Sequence, residues 1–209
     1  MKVSKFGGTS VASAQQIKKV AAIVKAEPTR KIVVVSAPGK RFAGDVKVTD
    51  LLINLSAAAL RDEPTDVALA KVVERYAQIT HELGLDNKIT NVIETDLLNR
   101  LQADKSSPPL FADLIKASGE DNSAKLIAAY LTSIGMPAEY VNPFDAGLFV
   151  NDLPERAQAL PEAYERLADL KNKKPFQCSL AFSAIQKAEY YGHLNVEAQI
   201  LPGLSLQRL

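Results

Sequence analysis

Lys5-Phe6-Gly7-Gly8-Thr9-Ser10 is the most informative segment of this sequence. It follows an apolar run from Val3 and precedes apolar residues at helical spacing, which predicts a strand, a glycine turn and a helix starting near Ser10. Two adjacent glycines let backbone N–H groups approach a ligand without a Cβ in the way. The helix N-terminus and Lys5 add positive charge there, which favours an anion such as a phosphate. The alternative interpretation is an ordinary strand-to-helix turn with a solvated lysine.

The composition is that of a globular protein without an obvious polyanionic partner. The chain has 209 residues, of which 47% are hydrophobic, and a net charge of +1. This balance predicts one or two domains and no binding to nucleic acid or to a membrane surface. One cysteine, Cys178, cannot form an internal disulfide, and two histidines give no metal-binding spacing. Neither a secretory signal nor an apolar run of the ~20 residues needed to span a bilayer is visible, so we expect a cytoplasmic protein.

The N-terminal third predicts a strand–helix–strand unit. Strands are expected at Lys2–Phe6 and Lys31–Val35, with a helix over Val11–Lys25 between them and a right-handed crossover. The loop Ser36-Ala37-Pro38-Gly39-Lys40 then follows the second strand. Ligands of open α/β sheets bind at the carboxyl ends of the strands, so this loop is a second candidate site segment.

The middle of the chain predicts helices. Thr49 is interpreted as the N-cap of an apolar helix. Helical patterns at Asp66–Leu83 and Lys88–Gln102 predict a helical insertion of about residues 62–118 that covers the sheet, and the break at residues 106–109 ends this run. Further elements are predicted as a helix over Asn122–Ile134, a strand over Glu139–Val141 and a helix over Pro161–Leu170.

Glu120 stands in the polar run Ser118-Gly119-Glu120-Asp121-Asn122-Ser123. This run is predicted to open the helix that ends near Ile134. An acidic residue in a first helical turn complements the helix dipole, and this role alone would explain Glu120.

The opening six-residue stretch resembles the N-terminal signature of aspartokinases, which are members of the amino acid kinase family. The resemblance runs from Met1 to about Phe176. It implies a three-layer α/β/α sandwich with a mainly parallel sheet, here truncated. It also implies transfer of the γ-phosphoryl group of Mg-ATP to the side-chain carboxylate of L-aspartate, the first step towards lysine, threonine and methionine. A carboxylate is ionised at neutral pH, so the reaction requires no general base.

The resemblance also implies roles for individual residues. Lys5 would be the catalytic group, and no protein residue would ligate a metal, because Mg²⁺ would be bound through ATP. The residues implied to bind ATP and its phosphates are Lys5, Phe6, Gly7, Gly8 and Ser36. Those implied to bind aspartate are Thr9, Ser10, Thr49 and Glu120. Intact members of the family are expected to be homodimers.

Residues 177–209 depart from the family pattern. Aspartokinases continue with V-x-P-G-F-F-G and then R-G-G-S-D-x-T-G-S, and neither run occurs in this chain. However, codons for Gln177–Ile185 read one frame over permit V-F-P-G-F-F-G-Y, and those for Asn195–Ser205 permit R-G-G-S-D-I-T-G-S-I. We therefore expect an aspartate-binding lobe over residues 1–176 and a frameshifted tail over residues 177–209.

Such a tail has consequences for structure and activity. A sequence not selected to pack would be disordered or held by weak local helix, the sheet would lose its next strand, and the chain would have no kinase activity.

Two other functions stay open from the sequence. One is another amino acid kinase acting on a different carboxylate, carbamate or nucleotide, and the other is a non-catalytic fragment that binds aspartate or pairs with an intact subunit.

Overall fold

A computed structural model describes residues 1–149, 159–168 and 179–182 of the chain. The described strands are β1 (Lys2–Phe6), β2 (Arg30–Val35), β3 (Ala138–Tyr140) and β4 (Ser179–Phe182). A short 3₁₀ helix, Gly8–Val11, follows β1. The described α-helices are α1 (Ala14–Lys25), α2 (Val48–Leu60), α3 (Asp66–Glu82), α4 (Lys88–Leu101), α5 (Pro108–Ser133) and α6 (Pro161–Ala168). The predicted last turn of α6, to Leu170, lies outside the described residues.

The four strands form one parallel sheet in the order β1-β2-β4-β3. Lys5 is in register with Val34, and Phe6 with Val35. The predicted strand–helix–strand unit is confirmed, because apolar continuity over β2 is what a strand buried in a parallel sheet requires. All four strands point the same way, so the segments that follow them meet at one edge of the sheet.

The expected loss of the next strand is wrong for the described part of the tail. Ser179–Phe182 forms β4, which pairs in parallel with β2 on one side and with β3 on the other. Parallel pairing uses backbone N–H and C=O groups, so a short apolar segment can fill this position whatever its side chains were selected for. The remainder of the predicted frameshifted tail lies outside the described residues, and the frameshift stays a prediction.

Helix α5 is the central helix of the molecule. It contacts α2 and α4, and it also packs against β2, β4 and β3. Contrary to the prediction, it does not begin near Asn122 but runs unbroken from Pro108 to Ser133. Helix α4 ends at Leu101, before the predicted break, and Pro108 and Pro109 of that break begin α5, because proline is well suited to the first helical turn.

Most of the buried apolar residues described form one core that joins α1, the sheet and the helices of the predicted insertion. Its largest fully buried side chains include Tyr76, Phe111 and Ile127. Within the described residues, no helix has the combined length and apolar character needed to cross a membrane.

Candidate functional site

The glycine turn, Gly7-Gly8, and the β2 loop, residues 36–39, contact each other at the carboxyl edge of the sheet. Ser36 N–H donates to the Phe6 carbonyl at 3.1 Å, which extends the β1–β2 ladder by one bond. Gly39 N–H donates to the Gly8 carbonyl at 2.9 Å. The first two predicted site segments are therefore brought together, as strand neighbours in a parallel sheet should be.

The two glycines of the turn have different roles. A Cβ at Gly7 would meet no atom within 4 Å, so this position faces open space, as a close ligand approach requires. A Cβ at Gly8 would lie 2.8 Å from the Ala37 carbonyl oxygen and 3.3 Å from the Gly39 nitrogen. Gly8 is therefore needed for the contact between the two segments, and Gly7 is the glycine that leaves room for a ligand.

The α-helix does not start at Ser10, as the sequence analysis predicted. Ser10 belongs to the 3₁₀ helix and donates its N–H to the Gly7 carbonyl at 2.9 Å. The α-helix begins at Ala14, after the N-cap Ser13, whose hydroxyl accepts from Gln16 N–H. The reason is that Ser13 is the better cap, so the N-terminus of α1 lies one short helix further from the glycine turn than expected.

The β2 loop also binds the helices on its other side. Pro38 accepts from Val48 N–H at 3.0 Å, which fixes the first residue of α2 against the loop. Ala37 N–H donates to Oε1 of Glu120 at 3.0 Å. Because the loop bonds to the β1 carboxyl end, α2 and α5, it is the structural centre of the site.

Glu120 lies at the site, but it is not in the first turn of a helix, where the sequence predicted it. It lies in the middle of α5, 5% exposed, rather than in a first turn, so the helix-dipole explanation is wrong. Buried carboxylates are rare unless they have partners, and Ala37 N–H is one of them. A buried carboxyl group therefore lies against the β2 loop, which in turn contacts the glycine turn.

Thr49 is the second residue of α2 rather than its N-cap, because the cap position is Lys47. It is half-buried and follows Val48, which is bonded to the β2 loop. The structure thus brings Thr49 next to the site while removing its capping role. Lys5 and Thr9 are exposed beside the glycine turn.

Gly119 allows α5 to approach the β2 loop. A Cβ there would lie 2.8 Å from the Ala37 Cβ and 3.0 Å from Cδ1 of Leu52. The Gly119 carbonyl accepts from the Tyr76 hydroxyl at 2.7 Å. Burial, with the charges of Glu120 and Asp121, raises the pKa of Tyr76 well above its usual range, so the hydroxyl stays a donor.

A buried ion pair that the sequence analysis missed lies below both loops. Arg75 of α3 donates to Asp45 at 2.9 Å, to the Gly39 carbonyl at 2.8 Å and to the Ala12 carbonyl at 3.0 Å. Arg41 binds the same carboxylate and holds the pKa of Asp45 well below its ordinary value. Burial lowers the pKa of Arg75, and Asp45 opposes that shift.

A second buried cluster joins α4, α5 and β3. Asp96 and Asp121 each accept from both Arg100 and Lys125, at 2.7–3.1 Å. Tyr140 donates to Asp121. Burial alone would raise the pKa of Asp96, but the two cations lower it instead. Two carboxylates balance two cations here, so we assign this cluster to the packing of α5 rather than to binding.

The described residues contain no group of three or more histidine, cysteine, aspartate or glutamate side chains that could hold a metal ion. The site instead offers one buried carboxylate, exposed lysine and threonine side chains, and the backbone around Gly7.

The chain is thus a parallel α/β domain with a glycine turn and a buried carboxyl group at the carboxyl edge of its sheet, the edge at which domains of this class bind small molecules. Residues 1–177 match the amino acid kinase family, and the chain belongs to that family.

Individual relatives agree with this assignment. The chain is 53% identical over 173 residues to Aspartokinase 3 of Bacillus subtilis (strain 168), and this match covers 83% of the chain and 38% of that protein. It is 31% identical over 173 residues to the chloroplastic Aspartokinase 2 of Arabidopsis thaliana, covering 78% of the chain and 30% of that protein. The chain therefore spans well under half the length of these relatives.

Solved structures confirm the α/β fold class. The crystal structure of Clostridium acetobutylicum aspartate kinase matches with a TM-score of 0.69 and 26% identity, over 87% of this chain and 38% of that one. E. coli aspartokinase III, solved in complex with aspartate and ADP, matches with a TM-score of 0.66 and 24% identity, over 88% of this chain and 40% of that one. At 24% identity, the likeness to the E. coli protein shows a shared fold and no more.

Proposed function

We propose that this chain is the aspartate-binding lobe of an ATP-dependent aspartate kinase. Membership of the amino acid kinase family and the 53% identity to an aspartokinase support this proposal. The observation that carries it is the position of Glu120. Its buried carboxylate contacts the β2 loop, which itself contacts the glycine turn. A carboxylate is the natural partner of an α-ammonium group, so an amino acid bound there would lie near the phosphate-binding backbone.

The proposed chemistry is phosphoryl transfer by positioning and charge neutralisation. The open space at Gly7 and the exposed Lys5 suit the transferred phosphate, and Thr9, Ser10 and Thr49 supply hydroxyls for the amino acid. The acceptor carboxylate attacks the γ-phosphorus and ADP leaves, with no proton to remove. Magnesium would enter with ATP and neutralise phosphate charge. A cytoplasmic location and a homodimeric assembly remain predictions.

Calorimetric titration of the chain with L-aspartate tests the substrate. We expect saturable binding of L-aspartate and weaker binding of L-glutamate, whose additional methylene displaces its carboxylate relative to the phosphate position. Glu120→Gln keeps an acceptor for Ala37 N–H but removes the charge. It should weaken L-aspartate binding about tenfold or more, as expected for loss of a charge-assisted hydrogen bond.

Glu94→Gln provides the matched control, because Glu94 is an exposed glutamate on α4. It should leave L-aspartate affinity unchanged. Equal affinities for the wild-type chain and Glu120→Gln would refute the role of Glu120. Tighter binding of L-glutamate than of L-aspartate would instead favour another carboxylate kinase of the family.

Turnover is a separate question, and the shifted reading of residues 177–209 bears on it. We predict that the chain binds L-aspartate without releasing ADP from Mg-ATP in a coupled assay. Aspartate-dependent ADP release by the purified chain would overturn that prediction. Nucleotide sequencing across the codon of Phe176 tests the frameshift directly, because the other frame must spell the arginine-glycine-glycine-serine-aspartate run.

A further inference from the structure

Arg75 is the side chain that connects α3 to both loops of the site. Its side chain is 4% exposed. One guanidinium nitrogen, Nη2, donates both to the Ala12 carbonyl, which follows the 3₁₀ helix, and to the Gly39 carbonyl at the end of the β2 loop. Neither carbonyl is part of a helix or strand, so no regular ladder fixes its direction. A planar, rigid donor group is well suited to fix two such carbonyls at a set distance.

Asp45 completes this arrangement. It is 7% exposed and binds Nη1 of Arg75, while the backbone N–H and side chain of Arg41 bind the same carboxylate. Asp45 is thereby shared between Arg75 and Arg41, and it holds Arg75 from the side away from the two loop carbonyls. Arg75 Nε is buried without a hydrogen-bond partner among the described residues. Its two Nη atoms, which make all the loop contacts, therefore define its position.

We infer that Arg75, held by Asp45, is a positioning residue that sets the spacing between the glycine turn and the β2 loop. Arg75 does not touch the substrate. It fixes the Gly39–Lys40 peptide, and through Gly39 it keeps the Gly8 carbonyl in its hydrogen bond. The consequence for the reaction rests on the proposed function, because the two segments are the ones assigned to the phosphate and to the amino acid.

Amide hydrogen exchange by NMR tests this inference on the full chain without a ligand. The amides of Gly39 and Ala37 are suitable reporters, because each donates one hydrogen bond within the site. Arg75→Met keeps the apolar stem of the side chain and removes its donors. Exchange at these two amides should accelerate about tenfold or more, the order expected for loss of a charge-assisted hydrogen bond.

Arg100→Met is the matched control. Arg100 is also ion-paired, with a side chain only 10% exposed, but it bonds to α4 and α5 rather than to the loops. Both variants should lower thermal stability, whereas only Arg75→Met should accelerate exchange at Gly39 and Ala37. Unchanged exchange in Arg75→Met, or equal acceleration in both variants, would overturn the inference. If Arg75→Met fails to fold, Arg75→Lys replaces it, since lysine keeps the charge but cannot span two carbonyls and Asp45.

A second measurement connects the inference to binding. If the wild-type chain binds L-aspartate, Arg75→Met should weaken that binding about tenfold, by the same loss of a hydrogen bond, and Arg100→Met should not. Unchanged affinity in Arg75→Met would overturn the inference. If the wild-type chain binds no L-aspartate, the proposed function fails, and the exchange experiment alone decides the role of Arg75.

Discussion

Alanine substitution of the two adjacent glycines should have opposite effects on stability. Gly8→Ala places a Cβ 2.8 Å from the carbonyl oxygen of Ala37, a backbone atom that cannot rotate away. The β2 loop must then move, and the hydrogen bond from Gly39 to the Gly8 carbonyl is strained. Gly7 has φ −72° and ψ 169°, which alanine adopts readily, and its added Cβ meets nothing.

The magnitudes follow from these contacts. Overpacking a close contact costs about 1–3 kcal/mol, whereas glycine to alanine at a compatible backbone position stabilises by about 0.4–1 kcal/mol. The free energies of unfolding of Gly7→Ala and Gly8→Ala should therefore differ by about 1.5–4 kcal/mol, with Gly8→Ala the less stable.

Urea denaturation followed by far-UV circular dichroism measures this difference. The wild-type chain is the common reference, and equal slopes in urea would show that only stability has changed. Equal midpoints for the two variants, or a less stable Gly7→Ala, would refute the assignment of separate roles to the two glycines.

Three further predictions concern α5, an exposed carboxylate and the buried ion pair. Gly119→Ala should destabilise the chain by about 1–3 kcal/mol in urea denaturation, because the added Cβ overlaps the Ala37 Cβ. The cost of this overlap exceeds the gain in helix propensity from glycine to alanine. A variant more stable than the wild-type chain would contradict the close contact. The hydrogen bond from Lys2 lowers the pKa of Glu27 to about 2. NMR titration of Glu27 should therefore give a lowered pKa in the wild-type chain and a higher one in Lys2→Met. A pKa near 4.5 in both proteins would refute the pairing. The folded-state pKa of Asp45 is lowered, so its stabilising contribution is full above the unfolded pKa of about 3.9 and is lost as pH falls below it. The free energy of unfolding, measured by urea titration, should therefore fall less in Asp45→Asn than in the wild-type chain between about pH 5 and pH 3. An equal decrease in the two proteins would count against the ion pair.

The regular part of the fold could be predicted from the sequence because local patterns fix it. The bounds of β1 are as predicted, and β2 starts one residue earlier, at Arg30. Continuous apolar residues before a glycine turn have few alternatives to a buried parallel strand.

Helix α5 could not be delimited in this way. Its polar run at residues 118–123 is typical of a helix start, yet all six residues are buried in the middle of the helix. A prediction that only apolar residues are buried fails where polar groups are buried and form hydrogen bonds with other elements. The glycine–glutamate pair was found through the family resemblance, and its contact with Ala37 only through the structure.

Arg75 was missed, although the sequence contained a signal. It lies three residues after Val72 and four before Ile79, both of which are buried, so it occupies the apolar stripe of α3. A charged residue in such a stripe predicts a buried partner. The identity of the partners, two loop carbonyls and Asp45, depends on chain segments distant in sequence and could not be predicted from the helix.

Helix α5 also has a mechanical consequence. With 26 residues at about 1.5 Å per residue, it is about 39 Å long, and it packs against α2, α4 and the sheet with Glu120 close to its midpoint. A displacement of α2 or α4 that shifts α5 against the sheet therefore also moves Glu120 relative to the β2 loop.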